Sequence, residues 1–535
     1  MKRFSHFWGF LVLCVGGLFA LYSGTRPYLS PATAAPLTTY ATTITVDSSR
    51  DVSTSLSERC DTHTPCTLRR AIVQARLLAP AERPVLIQFS IPITDVGYVP
   101  ALQLWELEIN STADPAVFRT MEGGQITIDG STQPNGRLSG PKIVLVGPST
   151  GNKNGLIVGV NATGTHDGNV VRGLGFQNFK DYITVNSNNN LLENNWFGLT
   201  SDGTAVYLRA NNPEDGSGSS GIAFTSGNTG NIVQHNVFLG FDGVAAAVRG
   251  NGNIFRENWV GTNASGLVPA KQTDPSLLCT TVDWLGGGGL SLDGPDHLIE
   301  NNVMAGLRQE IFISSSQPDA IWVQSTCDNC TIQNNQIGLD EGGNEIGVCG
   351  IGFDLTNTEG VQVLDNVFAE TYHSALFLNG ATYDANTLRG NLIRRSTPWL
   401  VPEDSPKADD AILRFTGLPD PLELFNPAAV TLIEGTAVQG TAGENSPCPN
   451  CVVELFLDDT DSINEALQSL AVVTAGADGT WTAVLPAPLT SGQGIRTTST
   501  TAQFNTISNI SAGTTVGLSR LYVSGYEIYL PLVVK

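Results

Sequence analysis

A short phrase is written eight times between Asn169 and Ile393, beginning at Asn169, Asn190, Asn231, Asn253, His297, Cys330, Val361 and Asn386. Two residues on, every copy is apolar: Val171, Leu192, Val233, Phe255, Ile299, Ile332, Val363 and Leu388. Seven residues on, each is apolar again: Phe176, Phe197, Phe238, Val260, Met304, Ile337, Phe368 and Ile393. Five residues on stands asparagine in seven copies, Asn195, Asn236, Asn258, Asn302, Asn335, Asn366 and Asn391, with Leu174 in the first. The starts lie 21, 41, 22, 44, 33, 31 and 25 residues apart. This spacing predicts a unit of about 22 residues, with the two longest intervals holding roughly a double unit.

Such a unit is too short for paired helices and suits one coil of a β-solenoid. In Asn-Ile-Val-Gln-His-Asn-Val-Phe (231–238) the apolar residues are flanked by polar ones, the pattern of two short strands meeting at a bend. The asparagine is expected at the bend because its short amide tolerates left-handed backbone angles and bonds its own chain. Stacked at about 4.8 Å, these asparagines would form a ladder and the apolar positions a continuous core. A propeller would need about 40 to 50 residues per blade with a recurrent aromatic signature, and the repeat has neither.

The motif Asn-x-Ile-x-x-Asn-x-Phe with a following Gly resembles right-handed parallel β-helix proteins of the pectate-lyase-like superfamily, over roughly half of the chain. The resemblance implies an all-β, right-handed parallel β-helix and is nearly silent about activity. Cys-Thr-Leu-Arg-Arg-Ala (66–71) resembles the Cys-Ser-Leu-Arg-Glu-Ala motif at the start of many secreted bacterial β-helix proteins. There Leu68, Ala71, Ile72 and Ala75 fall on one face of a helix that Thr67 can cap, and that helix would cover the first coil. Arg70 stands in place of the glutamate, which removes the capping-box partner of Thr67. Asp-Gly-Ser-Thr-Gln-Pro (129–134) resembles a recurrent turn of the same proteins, so Asp129, Thr132 and Gln133 are read as a bonded turn and not as ligands.

The expected organisation is a signal peptide (1–35), an N-terminal cap (36–83), the β-helix (84–415), a Pro-rich linker (416–428), a β-sandwich (429–517) and a tail (518–535). Lys2 and Arg3, the apolar run from Phe7 to Tyr22 and the small residues ending at Ala35 carry the three regions of a secretory signal. Asp478-Gly-Thr-Trp481 with Asn-Cys-Val-Val-Glu-Leu-Phe (450–456) resembles bacterial Ig-like modules of surface proteins. The apolar end, Tyr526 to Lys535, reads as a docking signal or as a last strand.

Without Cys14 of the signal, eight cysteines remain, an even number suited to disulfides in an exported chain. Cys60 with Cys66 and Cys448 with Cys451 are isolated local pairs. Cys327 and Cys330 can pair with each other or with Cys279 or Cys349. A zinc site from the two Cys-x-x-Cys motifs is disfavoured, since they lie in different domains of an oxidised protein.

A net charge of −22 with no basic stripe argues against nucleic acid as a partner. The pectate-lyase-like resemblance implies two enzymatic possibilities: lyases that abstract a proton with Arg or Lys beside calcium-binding acids, and hydrolases that use aspartate groups. Only Lys142, Lys153, Lys180, Lys271 and Lys407 fall in the solenoid, and Asp409-Asp410 is its one adjacent aspartate pair. Arg172, Arg256 and Arg389 recur at one coil position but share it with Glu193, Gln234, Glu300 and Gln333, which reads as a solvated face. His297 stands where other copies carry Asn, so a ladder role is expected of it. Asp458, Asp459, Asp461 and Glu465 could hold calcium, although a solvated hairpin is the preferred reading; no other cofactor is expected.

The reading that results is a monomeric, secreted or surface-displayed protein that binds polysaccharide or a cell-surface glycan without catalysis. The alternative is a polysaccharide lyase or glycoside hydrolase acting on acidic polysaccharide. The suspected binding region is the side carrying the loops 198–221, 261–289 and 337–349, and Trp284, Trp322 and Trp399 are the aromatics that could stack on sugars.

Overall fold

Each repeat closes one coil from three strands. The copy at Asn190 supplies Leu191–Glu193, Trp196–Phe197 and, after a long excursion, Ser220–Phe224. Corresponding strands stack in parallel into three sheets. Sheet A has eleven strands, from Thr42–Val46 to Thr387–Arg389. Sheet B has eleven, from Tyr98–Val99 to Leu392–Arg394, of which only the first pair is antiparallel. Sheet C has nine, from Leu156–Val158 to Ile412–Phe415. The chain is a right-handed parallel β-helix. This computed structural model describes residues 39–51, 57–109, 118–149, 151–160, 164–207, 220–241, 243–269, 288–307, 319–371, 373–379, 384–396, 411–415, 425–442, 448–461, 463–504 and 510–523. The signal peptide, Cys279, Trp284, Trp399, the Asp409-Asp410 pair and the tail beyond Val523 lie outside them.

The register corrects the expectation of double units. The 41-residue interval from Asn190 and the 44-residue interval from Asn253 are single coils, each lengthened between its second and third strands. A repeat signal carried only by sheets A and B could not reveal a third strand that drifts in spacing.

The bend is also corrected in detail. The left-handed residue is not the ladder asparagine but the one before it: Gly173, Asn194, His235, Glu257, Asn301, Asn334, Asp365 and Gly390 all have positive φ. The sharp turn at that residue aims the next side chain along the solenoid axis, and the asparagine bonds the coil behind it. Asn302 is typical. Its Oδ1 accepts from the backbone N–H (2.9 Å) and Nδ2 (3.2 Å) of Asn258, while its Nδ2 donates to Phe255 O and Asn335 Oδ1. The ladder runs from Asn195 to Asn391 and serves Leu174 through its backbone N–H alone.

A second ladder occupies the first position of the phrase. Asn169, Asn190, Asn231 and Asn253 bond in series, and Asn253 N–H donates to His297 Nδ1 at 3.2 Å. Burial lowers the His297 pKa, so the ring stays neutral and can accept. The ladder role expected of it holds.

Inside, the apolar positions form one cluster along the whole solenoid. Phe176, Phe197 and Phe238 stack with ring centroids 5.1 and 4.8 Å apart, because parallel in-register strands place identical side chains over one another.

Both ends are closed. The α-helix Leu68–Leu77 lays Leu68, Ala71, Ile72 and Ala75 on the first coil, as its spacing predicts. Thr67 Oγ1 accepts from Arg70 N at 3.4 Å, and Arg70 itself pairs with Glu58. The Thr42–Val46 strand, expected in the cap, is the edge strand of sheet A. At the other end two antiparallel sheets, of three and four strands, share a core that includes Val438, Val453, Leu455, Trp481 and Ile495. They dock on the last coil: Thr515 N–H donates to Asn386 O, Leu388 N–H to Thr515 Oγ1, and Ile393 exchanges two backbone bonds with Ala466. Phe425 and Ala428, within the expected linker, are buried there.

Cys60–Cys66, Cys327–Cys330 and Cys448–Cys451 are disulfides, and Cys349 is disulfide-bonded as well. No helix among the described residues is long and apolar enough to cross a membrane.

Candidate functional site

The outer faces of the three sheets differ in what they leave available. On sheet A the recurrent charged position is a ladder of interstrand bonds. Asp129 pairs with Arg172, Gln234 donates to Glu193, Arg256 donates twice to Gln234 Oε1, and Gln333 donates to Glu300. At the far end Arg389 faces Glu454 of the docked sheets at 3.8 Å. The solvated face expected here is thus a bonded row. Asp129 also caps its turn through Ser131 N, Thr132 Oγ1 accepts from Phe89 N, and Gln133 bonds Ile91 at both its amide atoms. All three are turn residues, as read from the sequence.

On sheet B the loops gather on one side, as expected, and their described parts pack over the sheet. Gly198, Gly261 and Gly338 open these loops with positive φ, and a Cβ on any of them would strike a carbonyl of the next coil. Residues 198–207, 261–269 and 338–349 then layer on each other, Ala264 N–H bonding Gly203 O and Glu341 N–H bonding Gly266 O. Beneath them Leu199, Val237 and Leu239 make a satellite core with Trp196 and Trp259. Arg137 lies 4.7 Å over the Trp196 ring. The remaining parts of the suspected loops, 208–219 and 270–287, lie outside the described residues.

Sheet C is open. Its outward side chains follow the register Ser291, Trp322, Asp354, Phe377 across four consecutive strands. Trp322 is 46% exposed on a rigid strand, a large apolar surface with no core to join. Asp354 Oδ1 accepts from Thr356 Oγ1 at 2.6 Å. Asp319, just before the Trp322 strand, accepts from Ile351 N–H at 3.1 Å. His373 sets its ring edge-on to Phe377 at 5.5 Å, and burial keeps it neutral.

The two carboxyls titrate abnormally. Burial, and after it the negative charge of Asp354, hold the Asp319 pKa well above the usual carboxylate range. Burial raises Asp354 too, while the Thr356 hydroxyl favours its ionised form. Neither acid is stabilised by a cation among the described residues. A protonated carboxyl beside an ionisable one, next to an exposed indole, can donate and accept hydrogen bonds to hydroxyl groups and can move a proton. Sequence reading found Trp322 but missed Asp319 and Asp354, which are lone acids in different coils beside the strand that the repeat does not mark.

This pair has a measurable consequence for stability. The folded chain holds the Asp319 proton to higher pH than the unfolded chain, whose aspartates ionise near about 4, so stability is lost as pH rises from there to the folded value. Asp319→Asn keeps an acceptor for Ile351 and is expected to raise unfolding stability at pH 7, with no gain at pH 3.5. Urea unfolding at the two pH values checks this.

No family model matches this sequence, and no curated protein matches it. Among solved structures it is similar to an alginate lyase from a Paenibacillus strain, at 15% identity and TM-score 0.37, over 70% of this chain and 98% of that one. It is also similar to the A-module of a mannuronan C-5 epimerase from Azotobacter vinelandii, at 11% identity and TM-score 0.28, over 63% and 88% of the two chains. A DFA-IIIase mutant from Arthrobacter chlorophenolicus A6 matches at 10% identity and TM-score 0.26, over 70% and 93%. None of these likenesses assigns a residue or an activity to this chain.

Proposed function

We propose that the outer face of sheet C binds polysaccharide, and that the protein is a secreted or surface-displayed glycan-binding β-helix. The observation that carries this reading is Trp322, half exposed on a rigid strand between Ser291 and Asp354. An indole fixed by strand geometry offers a flat apolar face for a sugar ring, and the half-buried Asp354 carboxyl beside it supplies a directional bond. With no cation among the described residues of the face to hold uronate groups, neutral glycans fit it better than acidic ones. The disulfides support an oxidising compartment, and with the N-terminal signal they favour export. We read the docked sheets as an Ig-like module and the helix at 68–77 as a cap of the Cys-Ser-Leu-Arg-Glu-Ala type.

A second reading, a glycoside hydrolase, is favoured by two acids in unlike surroundings: burial and the charge of Asp354 push the Asp319 pKa up, while the Thr356 hydroxyl favours the ionised form of Asp354. Incubation of the purified protein with neutral and uronic-acid polysaccharides distinguishes the readings. Binding predicts retention on neutral glycans that Trp322→Ala weakens about tenfold or more, the loss of roughly 1.5–3 kcal/mol expected at a central aromatic contact. Hydrolysis predicts new reducing ends that Asp319→Asn abolishes. Absence of both retention and product from every glycan would refute both readings.

A further inference from the structure

We infer that Asp458, Asp459 and Glu465 form a calcium site that staples the C-terminal sheets to the last coil of the β-helix. Asp458 and Asp459 end the strand Val452–Asp459, and Glu465 returns from its hairpin one residue before Ala466, which pairs with Ile393 of the solenoid. The solvated hairpin expected here is not what the fold builds: Asp458 is 0% exposed and Glu465 is buried.

The polar groups are satisfied except where a cation would stand. Asp458 Oδ2 takes Arg496 Nε and Glu465 N–H, whereas Asp458 Oδ1, fully buried, has no partner. Glu465 Oε1 accepts from Arg395 N–H at 2.6 Å, and Asp459 Oδ1 from Asp461 N–H at 2.9 Å. Arg395 bonds Glu345 and Glu370 with its guanidinium and acts on Glu465 only through space. A buried, unpaired carboxylate oxygen is costly and calls for a ligand.

One oxygen from each of the three acids lies within 4.8 Å of the others. An ion at their centre would stand about 2.8 Å or less from each, close to the roughly 2.3–2.6 Å of calcium–oxygen bonds and looser than magnesium accepts. Three carboxylates with Arg496 as the one guanidinium bonded to them leave a net charge that a divalent cation offsets. The ligands come from the docked sheets while Glu465 also grips the last coil, so occupancy would tighten the junction.

Calorimetric titration of calcium chloride into the chelator-treated full chain tests the site, with magnesium chloride as control and thermal unfolding alongside. Expected are a saturable calcium isotherm and a midpoint several degrees higher with millimolar calcium than with EDTA, both lost in Asp459→Asn and in Glu465→Gln. Two variants are used so that misfolding of one leaves the other to report. Equal midpoints in calcium and EDTA for the unaltered chain, or a calcium increment that survives in the variants, would overturn the site and leave the cluster as a proton-sharing junction.

Discussion

Replacing Asn302 by alanine is expected to lower the free energy of unfolding by about 3–5 kcal/mol, among the largest effects a single change can have in this chain. The side chain is fully buried and carries four bonds. Its loss strands the backbone N–H of Asn258 and takes one bond each from the Asn258 amide, the carbonyl of Phe255 and the Oδ1 of Asn335, none of which reaches solvent without opening the coil. Each stranded group costs about 1–3 kcal/mol before relaxation. Asn302→Asp should be nearly as damaging, because a carboxylate keeps the acceptor toward Asn258 but cannot donate to Asn335. Chemical denaturation of the two variants, with the m-value checked for loss of cooperativity, measures this. A cost under about 1 kcal/mol would mean that the ladder is a by-product of stacking and not a support.

Removing the residues from 425 onward should have a comparably large effect, of a different kind. The last coil exposes three strand edges, and the docked sheets occupy two of them: Thr515 and Gly513 meet Asn386, Thr387 and Leu388 on sheet A, and Ala466 meets Ile393 on sheet B. Asp384 is bonded by Ser511 and Thr514, which holds its pKa below the usual carboxylate range despite burial. Phe456, Ala466, Ile510 and Val516 belong to the same apolar cluster as Leu388 and Ile393. Without them a flat, apolar, unpaired edge remains, the arrangement that recruits other chains. The truncated chain is expected to leave the monomer peak on size exclusion for oligomers or precipitate, while the full chain does not. A monodisperse, cooperatively folding truncation would show that the solenoid closes its own end.

How much was legible in the sequence depends on which interaction wrote each residue. The inward and ladder positions repeat because coil stacking imposes one demand on every copy, so Phe197 and Asn258 announce themselves. The left-handed residue escaped notice because glycine, asparagine, aspartate, histidine and glutamate all fill it, from Gly173 to Glu257 to Gly390. Its backbone angle is set by the corner and held by the bonds on either side, which leaves the side chain free to vary. The third strand escaped because the excursions before it differ in length, so its copies have no fixed spacing to the phrase.

The chemistry-bearing residues were the least legible. Asp319 and Asp354 are separated by a coil of sequence, and only the register of sheet C brings them beside Trp322. Asp458 and Glu465 were visible as an acidic run, yet their burial comes from docking against the last coil, which no local pattern encodes. The sequence by itself determined the class of fold, the asparagine ladder, the covering helix and the Cys60–Cys66 and Cys448–Cys451 pairs, because each rests on contacts repeated at short period or closed within a few residues. Only the tertiary structure decided which outward side chains stay exposed and where charge is buried. Those depend on loops folding over sheet B and on two sheets capping the last coil, contacts made once, between residues far apart in the chain.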